Sequence, residues 1–179
     1  MELLKKIILV YAFMTAAFTI MLIPPLTNYI DFYKAIERHE IRLKSAKLDV
    51  SQLYTGTVKL SVTFSISNPT NFKGLKVTSI TCNLKYKVYR QNIYKNLPGL
   101  TEVFQKPVEI PPNCSTEIPI DFTFTFSSER PEVKDFFASL STKPAEVEII
   151  FQGQYVLYAY TYPFTIPMGP FEYVINLNY

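Results

Sequence analysis

The sequence predicts an all-β chain: a seven-stranded immunoglobulin-like or fibronectin-like β-sandwich with one short helix, preceded by an N-terminal transmembrane helix. Three observations carry that expectation. Val58, Leu60, Val62, Phe64 and Ile66 alternate with Lys59, Ser61, Thr63, Ser65 and Ser67, which is the period-two signature of a half-buried strand. The same alternation returns at Ile118, Ile120, Phe122, Phe124 and Phe126, where a one-residue slip would expose three phenylalanines. An uncharged run, Ile7 to Ile23, sits near the amino terminus.

In chain order, Lys5 and Lys6 precede that run of seventeen residues, nine of them Ile, Leu, Val or Phe. Each of those nine favours insertion by about 0.3 to 0.6 kcal/mol. Leu3, Leu4 and snorkelling lysines extend the run toward spanning length, and Pro24-Pro25 is expected to end the helix. The alternative is a cleaved signal peptide. The run is long for one, and Ala16-Ala17 lies inside it with no small-residue cleavage site beyond. Residues 1–25 therefore read as a retained signal anchor with the large domain extracytoplasmic, although Lys34, Arg38 and Arg42 compete with Lys5 and Lys6 for the inner side. Residues 26–45 read as a helical stalk with Tyr29, Ile30, Tyr33 and Ile36 on one face.

The sandwich is expected over 46–166, with strands near 46–53, 57–67, 75–90, 101–109, 116–126, 145–152 and 154–165, and a C-terminal tail over 167–179. After the second strand, Asn68-Pro69-Thr70 is a structural turn: proline removes a backbone donor, and the asparagine side chain bonds nearby backbone. A helix is predicted over 129–141, capped by Ser128, with Glu129 and Glu132 at its positive end and Val133, Phe136, Phe137 and Leu140 as its buried stripe. Gln152-Gly153 is expected to turn a hairpin into an aromatic strand. There Tyr158, Tyr160, Tyr162 and Phe164 share a face that is either core or a contact surface, and the three tyrosines are the candidate contact residues.

Two cysteines are too few for a disulfide scaffold and fit no zinc or redox spacing. Cys82 falls in the inward set of its strand as a buried thiol, while a bridge to Cys114 in a turn is the alternative. Asn113-Cys114-Ser115 satisfies the glycosylation sequon, which matters if the domain is external.

Charge is split along the chain. Residues 45–100 carry eight basic and one acidic residue, and 101–179 carry four basic and ten acidic. In a sandwich this predicts cross-strand complementarity. No nucleic-acid partner is expected, since the lysines lack an aromatic platform and the acidic half opposes phosphate. The chemical inventory is thin. His39 is the sole histidine and lies in the stalk, which removes histidine triads and multi-histidine metal sites. Asp121, Glu146 and Glu148 are the carboxylates a glycosidase could use, but they alternate with core residues and read as a solvated strand face. Five glycines form no phosphate loop, so no cofactor is expected.

The order of these features resembles the WHy domain of the atypical late embryogenesis abundant family, named for water stress and hypersensitive response. The matching elements run over about 46–166. They are the alternating strand into Asn68-Pro69-Thr70, then Ile110-Pro111-Pro112 before Ser115 to Ile120, the helix from Glu132 to Leu140, and Val147 to Gly153. The resemblance implies a seven-stranded sandwich with one helix, often held at a membrane by one span, with roles in stress protection or in partner and lipid contacts, and no catalytic residues. The function expected is that of a non-enzymatic membrane-anchored domain touching membrane lipids and a membrane-protein partner. An accessory subunit of a larger membrane complex is the alternative, followed by a pilin-like filament subunit.

Overall fold

The computed structural model describes residues 2–88, 93–127, 130–141, 147–159 and 162–177, apart from the side chains of 88, 162–164 and 177. A 37-residue helix, α1 (Glu2–Arg38), is followed after the single residue His39 by β1 (Glu40–Asp49). A 3-10 turn (Leu53–Thr55) leads into β2 (Thr57–Asn68), β3 (Leu75–Val88), β4 (Lys95–Glu109) and β5 (Cys114–Thr125). Then come α2 (Pro131–Ser141), β6 (Val147–Ala159) and β7 (Tyr162–Leu177). The seven strands form two antiparallel sheets, ordered β1-β2-β5 and β4-β3-β6-β7.

The alternation in β2 and β5 is what joins the sheets into a sandwich. Val58, Leu60, Val62, Phe64 and Ile66 are all but fully buried, and Ile118, Ile120, Phe122 and Phe124 of β5 face the same core. Across the interior, Phe64 meets Phe151 of β6 edge-on at 6.4 Å. Each such side chain taken out of water contributes about 1.5–3 kcal/mol. The outer faces carry the predicted charge complementarity. Lys44 pairs with Glu117, Lys76 with Glu109 at 2.8 Å, Lys87 with Glu148 at 3.4 Å and Lys95 with Asp135 at 3.0 Å, each joining an early base to a late acid.

Helices plug both open ends of the sandwich. At the end where β2 finishes and β3 begins, here the near end, Phe32 and Ala35 of α1 are buried in the core. At the opposite, far end, α2 buries Val133, Phe136, Phe137 and Leu140, as its spacing predicts, with Phe136 edge-on to Tyr86 at 4.8 Å and to Phe124 at 5.7 Å.

Several boundaries differ from the sequence expectation. Pro24-Pro25 lies inside α1 rather than ending it. Proline's fixed φ suits a helix, so the helix continues although each proline lacks the amide that would bond four residues back. The segment read as a stalk over 26–45 splits into the end of α1 and the start of β1. Gln152-Gly153 is not a turn, because β6 runs through it from Val147 to Ala159. A Cβ on Gly153 would come within 2.3 Å of the Thr81 carbonyl and 2.6 Å of the Phe171 ring, so this glycine serves close packing. The segment 167–179, expected to be a tail, supplies most of β7 through Leu177. Phe126 falls in a turn after β5 and is 51% exposed, outside the inward row predicted for it. Ser128 and Glu129, assigned to the helix cap, lie outside the described residues.

Candidate functional site

The near end concentrates the features that distinguish this chain. Helix α1 carries a window of mean hydropathy 2.2 with none of it buried, so among the described residues one helix is long and apolar enough to cross a membrane. Without a charge between Ile7 and Ile30, the run measures 24 residues, or ~36 Å of helix, against a hydrocarbon core of ~30 Å. Immediately past it the helix changes partner. Phe32, Ala35, Ile36 and His39 recur at spacings of three and one, the period of a single helical face, and this face packs on the sandwich. Phe32 meets Phe72 of the β2–β3 loop, and His39 meets Tyr155 of β6 edge-on at 5.6 Å. Tyr29 and Tyr33, one turn apart, stay exposed and hydrogen-bond hydroxyl to hydroxyl at 2.9 Å.

His39 holds the joint between helix and strand. Its Nδ1–H donates to the Ile36 carbonyl at 2.6 Å and its amide to the Ala35 carbonyl at 3.0 Å. Burial lowers its pKa, an effect partly opposed by the Ile36 and Ala35 carbonyls beside the ring.

Asn68-Pro69-Thr70 closes the same end as a buried polar node. Among the described residues Asn68 and Thr70 are the buried polar side chains. Asn68 Nδ2 donates to the Phe72 carbonyl at 2.9 Å and the Ile110 carbonyl at 3.4 Å. Its Oδ1 accepts from the Thr70 amide at 3.2 Å and the Thr70 hydroxyl at 2.7 Å, while Thr70 Oγ1 accepts from the Phe72 amide at 3.3 Å. Two loops are thereby tied to one side chain, and the Thr70 carbonyl accepts the Asn113 amide at 3.0 Å. Burying an amide is tolerable here because its donors and acceptor are used. Every one of these bonds ties the turn to neighbouring backbone or to Thr70.

The remaining predicted residues fall as follows. Asn113 is exposed in a turn with φ 52°, and its Nδ2 donates to Asn71 Oδ1 at 2.7 Å. Cys82 and Cys114 are free thiols, so the disulfide alternative is not realised. The cause is topological: Cys82 pairs within the four-stranded sheet, opposite Leu100 and Gly153, whereas Cys114 pairs with Asn68 in the other sheet. Burial pushes the Cys82 thiol up to about 12. Tyr158 is half-buried on the outer face of β6, opposite Lys76 and Thr165 and near the near end, while the inward face belongs to Tyr155, Leu157 and Ala159. Tyr160 lies outside the described residues, as does the side chain of Tyr162, which starts β7. Asp121 and Glu148 sit on different sheets, and Glu148 is held by Lys87 and Tyr94; Glu146 lies outside the described residues. Among the described residues no three His, Cys, Asp or Glu side chains gather where a metal could bind.

Two further surfaces were not read from the sequence. At the near end a groove of about 520 Å³ is lined by Lys73, Lys76, Glu109, Ile110, Pro111 and Pro112, among others. Its signal was the lysine beside the turn, which reads as an ordinary loop charge until the turn is placed against α1. At the far end Tyr54 is fully exposed, Ile93 is 74% exposed and Phe126 is half exposed. The Phe126 amide donates to the Gly56 carbonyl at 2.8 Å, which ties the turn after β5 to the turn that carries Tyr54.

No protein-family model matches the chain, and no curated protein matches it. Solved structures similar to it include the X-ray structure of the structural-genomics target SoR45, at 14% identity and TM-score 0.41, covering 75% of this chain and 84% of that one. Another is a crystal structure of a protein from Archaeoglobus fulgidus, at 7% identity and TM-score 0.42, covering 79% of this chain and 94% of that one. Neither description names an activity, a ligand or a partner.

Proposed function

We propose that this chain is a non-enzymatic, membrane-anchored β-sandwich of the WHy kind, working through contacts with membrane lipids and a membrane-protein partner, with stress protection as the role that resemblance implies. The observation that carries it is the division of labour within α1. Its side chains from Ile7 to Ile30 leave an uncharged, largely apolar surface exposed, while its last two turns pack against the core. An apolar surface of that extent needs a bilayer or a partner to cover it. A single-pass anchor with Lys5 and Lys6 inside and the sandwich outside accounts for both halves. The strand order supports an immunoglobulin-like or fibronectin-like type, since it keeps the immunoglobulin arrangement except that the fourth strand lies at the edge of the other sheet.

Carbonate extraction of membranes from expressing cells, followed by N-terminal sequencing, tests the anchor. Retention of the uncleaved chain in the membrane pellet is expected. Release into the soluble fraction, or a mature start beyond Ile23, would sink it.

The accessory-subunit alternative draws on the exposed far-end side chains Tyr54, Ile93 and Phe126, set away from α1. Mild-detergent purification with mass spectrometry separates the two: a stoichiometric set of membrane proteins favours the subunit, and a lone chain favours the tethered domain.

A further inference from the structure

We infer that the near end of the sandwich works at the phosphate level of the bilayer that α1 spans, with the groove beside Lys73 taking the headgroup of a phospholipid. The inference deepens the anchor proposal and rests on it.

The depth follows from helix geometry. If the hydrocarbon core takes twenty residues from Ile7, it ends at Leu26, and Phe32 stands six residues or ~9 Å further along the axis. Headgroup layers occupy ~5–8 Å on each side. The Phe32 ring touches Phe72 at 5.5 Å between centroids, so the loop carrying Lys73 is held at that level and not on a free tether. A lysine stem is long enough to close the remaining gap.

The chemistry of the groove suits that position. Lys76 is neutralised by Glu109, whereas Lys73 is exposed and has no ion pair among the described residues, leaving the groove one net positive charge. Pro111 and Pro112 give it an apolar wall, so the groove pairs a cation with apolar surface, as a phosphate on a glycerol backbone requires. Tyr29 and Tyr33 on α1, three residues before Phe32 and one after it, have exposed rings and a shared hydroxyl contact, which is the composition of an interfacial aromatic belt. The outward Tyr158 lies near the same end of its sheet, since β6 finishes where Leu75 opens β3.

The exposed Cys114 provides the probe, because it sits at the near end opposite Asn68 while Cys82 is buried and unreactive. The full chain, labelled with a fluorophore at Cys114, is placed in phosphatidylcholine nanodiscs containing a headgroup-spin-labelled lipid, with and without phosphatidylglycerol. Strong quenching at Cys114 is expected. A label at Tyr54→Cys in a Cys114→Ser chain, eleven β5 residues or ~36 Å along the strand direction, is expected to stay bright. Phosphatidylglycerol is expected to deepen the Cys114 quenching, and Lys73→Gln to remove that increment. An unquenched Cys114 in discs that hold the protein, or equal quenching at both positions, overturns the placement. An increment that survives Lys73→Gln overturns the assignment of the phosphate to Lys73. Failure of the chain to enter discs at all is a different result, and it sinks the anchor proposal itself.

Discussion

Phe32 and Phe72 meet edge to face, with ring centroids 5.5 Å apart and planes inclined at 62°, and both are almost completely buried. One ring belongs to α1 and the other to the loop that follows the Asn68 turn, so the contact fastens the helix to the sandwich. Truncating Phe72 to alanine removes a ring that nothing else can replace and is expected to cost about 3–5 kcal/mol. Denaturant unfolding of the detergent-solubilised chain measures it. A loss below 1 kcal/mol would show that the helix and loop are not packed as described.

Asn68→Ala is expected to destabilise by about 1–3 kcal/mol, because the Phe72 and Ile110 carbonyls lose their side-chain donor and Thr70 loses its acceptor in a buried place. Asn68→Asp should be worse. It keeps the acceptor but sets a carboxylate against two carbonyl oxygens. Unchanged melting in both variants would remove the node from the account of stability.

His39 predicts a pH dependence. Its folded pKa is lowered, so the unfolded chain binds the proton more readily. The stabilisation is complete above the unfolded value of about 6.5 and is lost as pH falls through the folded pKa. Melting temperature should therefore drop on acidification below about pH 6.5, and His39→Phe should flatten that part of the curve. The lowered carboxylates Asp49, Glu109 and Glu148 act in a more acidic range, so the two effects separate on the pH axis. A wild-type curve that stays flat down to pH 5 would refute the role given to His39.

The two thiols should react very differently. Cys114 is exposed, whereas Cys82 is buried and holds its proton up to about 12. Ellman titration of the native chain is expected to release one equivalent, rising to two in denaturant, with the native equivalent lost in Cys114→Ser. Two rapid equivalents from the folded chain would contradict the burial of Cys82.

Much of the sandwich was legible because β2, β5 and α2 each bury one face, so periodicity alone orients them. β7 was not. Gly169 with Pro167 and Pro170 reads as a loop, and only the fold reveals that β7 is an edge strand with a free side where a missing amide costs no ladder bond. The same explanation covers Pro98 and Pro107 in β4 and Pro119 in β5, which also lie on edges. Gly153 misled for the opposite reason: a glycine between two apolar runs looks like a turn, and its actual cause, the Thr81 carbonyl and the Phe171 ring lying where a Cβ would go, comes from strands distant in sequence. At the near end, Asn68 was recognisable from its neighbours alone. Phe32, Ala35 and His39 were spaced as a helical face, but nothing local told that face apart from the exposed one bearing Tyr29, Ile30 and Tyr33.

With only His39 between α1 and β1, and the last helical turns packed into the core, the sandwich has no swivel. It inherits the rotational phase of the helix. Adding one residue to α1 below Phe32 would turn the whole domain by about 100° about the helix axis relative to the lower part of the span. A neighbour packed against the span would then face a different flank of the sandwich. The length of this helix, counted in single residues, thus sets the compass bearing of every surface the domain presents.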